Sequence, residues 1–173
     1  MSRFTIVLAL SISLLLIGLY ACGYQLAGTG GLPGGIQTLH VQVVANSSSE
    51  TGTETLVTNA LISELNRRRQ GVVVEADAAE AVLTGAIDAL TWDTVSLRGL
   101  TTAAERRVYL TLSLSLVATN GDVLWKRSGL RAEQAYAVVE GNKPATENNR
   151  RSAIREVSLR LAEDVYRRMT DQF

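Results

Sequence analysis

The chain has 173 residues and carries 17 Lys and Arg against 17 Asp and Glu, a formal net charge of zero. That balance excludes general nucleic-acid binding, which needs a basic surplus to displace counterions from phosphates. One cysteine excludes an internal disulfide, and one histidine excludes the His/Cys clusters that hold zinc.

Met1 to Ala21 has a single early cation, Arg3, then an apolar run from Phe4 to Leu19. This is the layout of a secretory signal, and the run is too short to span a bilayer comfortably. Leu19, Tyr20, Ala21 and Cys22 resemble the bacterial lipobox, in which the cysteine is acylated and becomes the first mature residue, although Tyr20 is bulkier than the usual small residue. The alternatives are an ordinary signal with an incidental cysteine, and an uncleaved anchor. Acylation explains why an unpaired thiol stands in an oxidising compartment, where it would otherwise react. Each buried CH2 of an acyl chain contributes roughly 0.8 kcal/mol and one chain holds only reversibly, so several chains, palmitate among them, are expected on Cys22. Gly23 stands where an aspartate commonly retains lipoproteins in the inner membrane, so the periplasmic side of the outer membrane is the expected location. The division expected is a leader over 1–21, a lipidated glycine-rich tether over 22–37 and one domain over 38–173. The remainder is long enough for a real core.

The stretch "GTGGLPGG", residues 28–35, is too rich in glycine for a helix or strand, and no Gly-Lys-Ser/Thr follows to make it a phosphate loop. Leu39, Val41 and Val43 alternate with His40, Gln42 and Val44, which predicts a short strand. After the turn-rich "ANSSSETGT", Thr51 and Glu54 form a candidate capping box for a helix whose inner face is Leu56, Val57, Ala60, Leu61 and Leu65. Arg67, Arg68 and Arg69 suit the helix C-terminus as a solvated end, and Gly71 stops it.

Val72 to Glu75 reads as a short strand, Ala81 to Val95 as a longer one, and "SLRGLTTAAERR", residues 96–107, as a loop between strands. From Val108 to Leu116 apolar residues alternate with Tyr109, Thr111, Ser113 and Ser115, a period of two along a whole strand. Asn120-Gly121 predicts a two-residue type I′ hairpin into a strand holding Val123 and Trp125. Tyr109, Thr111, Ser113 and Ser115 make an uncharged hydroxyl face, which suits contact with another protein as well as simple solvation. After "RAEQAYAVVEGNKPATENN", Ile154, Val157, Leu161, Val165 and Met169 recur at spacings of three and four, a packing helix with arginines around it. This order predicts an α+β two-layer sandwich: a mostly antiparallel four-stranded sheet, plus a possible short strand, with two helices on one face.

Catalysis needs a nucleophile with a base, a carboxylate pair or a metal. Here His40 stands alone, Cys22 is committed to acylation, and Asp88, Asp93, Glu105, Asp122 and Glu133 are scattered over strands and turns. A binding or assembly role is therefore expected, with no enzyme activity, metal or cofactor beyond the covalent lipid.

"ACGYQLAG", then "LPGGIQTLHVQVV", and the final "REVSLRLAEDVYRRM" together resemble the lipopolysaccharide-assembly lipoprotein family (LptE-like), the small partner of the outer-membrane lipopolysaccharide translocon. The resemblance implies a domain that plugs a large β-barrel, supports its folding and contacts lipopolysaccharide. Phosphates on that ligand call for arginine or lysine. The resemblance points to Arg98, with Lys143 near a second basic position and Arg106 and Arg107 at the base of the same loop as Arg98. A structural lipoprotein of another envelope machine, such as a pilotin-like factor, is the alternative, and a periplasmic lipid carrier would need a deep apolar pocket.

Overall fold

The computed structural model describes residues 31–98 and 102–171, with backbone alone at 96–98 and 102–104. The leader, Cys22 and the first half of the tether lie outside the described residues. Within the stretch assigned to the tether, Leu32, Pro33 and Ile36 are buried, and a 3-10 turn spans Pro33–Gly35.

Strand β1 (Leu39–Val41) pairs in parallel with β3 (Ala81–Arg98), and β2 (Ala45–Asn46) continues along the same neighbour. The single alternating strand expected here is interrupted. From Val41↔Leu83 to Ala45↔Ala86 the first chain advances one residue more than β3 does. An extra residue exchanges the two faces, so Val43 is 64% exposed while Val44 is buried and donates its N–H to Thr58 Oγ1.

Helix α1 (Thr53–Arg68) starts after Gly52, whose φ of 90° turns the chain into the helix. The expected Thr51–Glu54 box is only half present. Glu54 does reach back, accepting from the Gly52 N–H at 3.1 Å and from Asn46 Nδ2 at 2.6 Å, but exposed Thr51 supplies no cap. Backbone N–H donation at Glu54 itself, then Asn46, then Gly52, holds this carboxyl below its ordinary range against a desolvation effect of opposite sign. A lowered carboxyl pKa contributes stability that is complete above its unfolded value and lost as pH falls through the folded one. Glu54→Gln should therefore flatten the acid limb of the thermal stability profile below about pH 4.5, measured as Tm against pH beside the wild type.

Val57, Ala60, Leu61 and Leu65 face the core as the spacing predicts. The arginines that follow are more than a solvated end. Arg67 and Arg68 both bond the Glu64 carboxylate, which is only 6% exposed, and Arg68 lies 5.4 Å from the centre of the Tyr166 ring on the last helix. Val72–Glu75 makes one parallel bridge, Val73↔Leu39, and no strand, because only Leu39 of β1 is within pairing reach.

Strands β3, β4 (Thr102–Ala118) and β5 (Val123–Ala137) form an antiparallel meander, giving a five-stranded sheet of order β1-β3-β4-β5 with β2 also on β3. The loop expected over 96–107 is mostly strand. The ladder runs through Thr94↔Arg106 and Ser96↔Glu105 to Arg98↔Thr102, with register shifts absorbing the mismatch. Backbone pairing does not depend on the side-chain pattern that was read as a loop. The β4–β5 connection also differs from a type I′ turn. Among the described residues only glycines take positive φ, so Asn120 does not, while Gly121 has φ 94°. The Gly121 N–H donates to Ala118 O and the Ala118 N–H to Asp122 O, a three-residue loop with Gly121 at its left-handed position.

Helix α2 (Lys143–Thr170) begins well before the predicted face, with Pro144 in its first turn and the Asn142 side chain accepting from the Ala145 N–H at 3.0 Å. It packs on β5 and β4, α1 packs on β1 and β2, and the helices touch each other. Ile154, Val157, Leu161, Val165 and Met169 meet Val108, Leu110, Leu112, Leu114 and Leu116 in one continuous core. The α+β two-layer architecture holds, with both helices on one face of a mostly antiparallel sheet.

Candidate functional site

Both helices cover the face to which the even-numbered leucines of β4 point, so the odd-numbered residues line the other, helix-free face. Tyr109, Thr111, Ser113 and Ser115 run down its centre, opposite Thr91, Ala89, Ala86 and Thr84 on β3. These side chains are short, except for the one tyrosine. Charges stand beside the hydroxyl column: Asp88 accepts from Ser113 Oγ at 2.6 Å, Arg131 lies 4.4 Å from the centre of the Tyr109 ring, and Arg107 pairs with Glu133 at 2.9 Å. Since β4 is central, its own edge needs no charge against strand addition. The uncharged column is therefore not explained by an edge constraint.

The four basic residues expected to meet an anionic ligand do not form one cluster. Arg106 and Arg107 belong to strand β4 and point to opposite faces. Arg106 shares an open cleft of about 870 Å³ with Lys143, the first residue of α2, and with Glu140 and Glu147. Arg107 instead sits on the helix-free face in its pair with Glu133. Arg98 ends β3 opposite Thr102, farther along the hairpin than Arg106, which pairs with Thr94; its side chain lies outside the described residues.

A cluster beside this cleft had no signal in the sequence. Arg150 on α2 bonds Glu50 at 2.6 Å and Glu147 at 2.8 Å, and lies 5.5 Å from the centre of the Trp92 ring on β3. The Glu50 hydrogen bond is the main cause that raises the Arg150 pKa above its ordinary value, and Glu147 adds to it against desolvation. This cluster ties the 46–52 turn to α2 and fixes one wall of the cleft. Its partners are a hundred residues apart, beyond any local periodicity.

No group of three or more His, Cys, Asp or Glu is placed to hold a metal among the described residues, and none of their helices is long and apolar enough to cross a membrane. The arrangement is an α+β domain with a helix-free sheet face on one side and a mixed-charge cleft at one end of the helix layer. The chain belongs to the lipopolysaccharide-assembly family (LptE), whose model matches residues 36–169.

Solved structures agree in fold. Lipoprotein B of Nitrosomonas europaea superposes with a TM-score of 0.58 at 13% identity, covering 86% of this chain and 90% of its own. Rare lipoprotein B of Shewanella oneidensis gives 0.50 at 18% identity, covering 76% and 94%. No curated protein sequence matches the chain.

Proposed function

We propose that the protein is an outer-membrane lipoprotein, anchored on the periplasmic side through acylated Cys22, that seats inside the β-barrel lipopolysaccharide translocon and assists delivery of lipopolysaccharide to the cell surface. Family membership supports the process. The observation that carries the proposed mode of action is the helix-free face with its uncharged column of Tyr109, Thr111, Ser113 and Ser115, which neither helix covers and which is thus open to a barrel wall. Arg98, Arg106 and Lys143 are offered to the ligand's phosphates by charge-assisted hydrogen bonds, and Arg107 serves the partner face through its Glu133 pair. No step requires bond chemistry; the protein works by contact.

Co-purification from detergent extracts should recover a β-barrel, and recovery of a secretin instead would favour the pilotin-like reading. Photocrosslinkers at Tyr109, Arg98 and Lys143 in intact cells should report barrel from the first and lipopolysaccharide from the other two. Thr111 faces Ala89 and Arg131 directly across the ladders, so Thr111→Arg would leave a guanidinium without a carboxylate opposite it in the interface. Barrel recovery should drop about tenfold or more, equivalent to ~1.4 kcal/mol, while Tm stays near the wild-type value. Unchanged recovery would remove this face from the interface.

A further inference from the structure

Three charged side chains of helix α2 lie on one stripe of its surface, Lys143, Glu147 and Arg150, spaced by four residues and then three. Either cation is within reach of the carboxylate between them. Arg150 takes it, with Nε at 3.0 Å and Nη2 at 2.8 Å from Glu147 Oε2, while its Nη1 and Nη2 hold the two oxygens of Glu50 at 2.6 and 3.0 Å. Among the described residues Lys143 is then in no ion pair, and neither is Arg106 in the same cleft, although Glu140 and Glu147 line that cleft too.

The helix itself favours this outcome. A carboxylate that precedes its cation along a helix pairs better than one that follows it, so Glu147 prefers Arg150 to Lys143. The guanidinium fork also serves two carboxylates at once, which an ammonium does less well. Arg150 is the more withdrawn from water, its side chain 16% exposed, whereas Lys143 is exposed. Lys143 meanwhile opens α2, the end at which the macrodipole disfavours a cation. A lysine there contributes to the helix only through a carboxylate one turn on, and that carboxylate is taken.

We propose that Arg150 is a positioning residue: by holding Glu147 against the 46–52 turn it keeps Lys143 unpaired and open to an anionic group entering the cleft. That this anion is a phosphate of lipopolysaccharide rests on the function proposed above. The competition between Arg150 and Lys143 for Glu147 does not.

The test uses the full chain in detergent micelles, with circular dichroism to report folding and mass spectrometry to report the rate at which N-acetoxysuccinimide acetylates Lys143. Lys126, the only other lysine, is the internal reference. An ion-paired amine reacts more slowly. Arg150→Met should slow Lys143 roughly twofold, the effect expected of a pair four residues apart on a helix, and adding Glu147→Gln should restore the wild-type rate. Glu50→Gln should leave the rate unchanged, because it unties the turn from α2 while Arg150 still holds Glu147. A cluster with a structural role alone would respond to both losses alike. An unchanged rate in Arg150→Met overturns the proposal, as does a slow rate that persists with Glu147→Gln, or equal slowing in Glu50→Gln. Faster acetylation in Glu147→Gln alone also overturns it, since Lys143 would then already be paired. If Arg150→Met unfolds, Arg150→Gln, which keeps a donor for Glu50, decides by the same criterion. Binding of bisphosphorylated lipid A in the same micelles should fall in Arg150→Met and recover in the double variant. A failure confined to this arm removes the phosphate reading and leaves the positioning role in place.

Discussion

Leu112→Ala should lower the stability of the fold by about 3 kcal/mol, near the middle of the range for truncating a buried leucine. Leu112 is fully buried on the central strand, with Ile87 opposite it on β3 and Leu130 on β5, beneath the apolar face of α2. The space can close only in part, because ladder hydrogen bonds hold the backbones of β3 and β5 in register with β4. Part of the cost is therefore the cavity left behind. A loss of this size is a large share of the ~5–15 kcal/mol that holds a typical domain folded. Urea unfolding should show the midpoint falling with the slope unchanged. Ser115→Ala on the same strand, pointing to the helix-free face, should stay within about 0.5 kcal/mol of wild type. Equal losses from the two substitutions would mean that the helices do not cover the face assigned to them.

Gly85→Val should be at least as damaging, for the opposite reason. Gly85 lies opposite Leu114 in the β3–β4 ladder, and a Cβ built there would come within 2.2 Å of Ser113 O and 2.5 Å of Leu114 Cδ2. The first of these atoms is backbone, so no rotamer change relieves the contact and the strands must part or shift register. Overpacking of this kind costs about 3 kcal/mol or more. A valine, otherwise a favourable strand residue, should thus destabilise a strand interior where glycine is ordinarily the weaker choice. Gly85→Ala should follow in the same direction with a smaller loss. Retention of the wild-type Tm by both would show that the two strands do not approach this closely.

Much of the fold was legible because side-chain periodicity reports burial directly. The alternation from Val108 to Leu116 and the spacing of Ile154, Val157, Leu161, Val165 and Met169 each named an inner face, and the structure buries those residues together. Periodicity failed where the backbone alone makes the structure. Residues 96–98 and 102–107 carry mostly polar and small side chains, with Leu97 alone among them large and apolar, in no clean order, yet ladder hydrogen bonds extend both strands through them. Turn chemistry was half legible. Asn120-Gly121 marked the hairpin, but the conformation chosen uses only the glycine's positive φ and turns Asn120 Oδ1 to accept from the Asp122 N–H. At the candidate site, the hydroxyl column could be read as a face, whereas the pairing of Arg106 with Lys143 in one cleft and the banishment of Arg107 to the other side could not. Adjacent strand residues point oppositely, and that separates two neighbours that a loop would have kept together.

By itself the sequence determined the layers: which stripe of each helix and which side of β4 would be withdrawn from water, and hence a sheet with one helix-free face. Those choices are local, since burial of apolar surface follows from spacing within a single element. Only the tertiary structure decided the register shifts and the Arg150 cluster spanning Glu50, Glu147 and Trp92. Each of these joins residues far apart in the chain through directional hydrogen bonds or ion pairs. Such contacts form once packing has brought the groups within about 3 Å of each other, and no one-dimensional pattern records that distance.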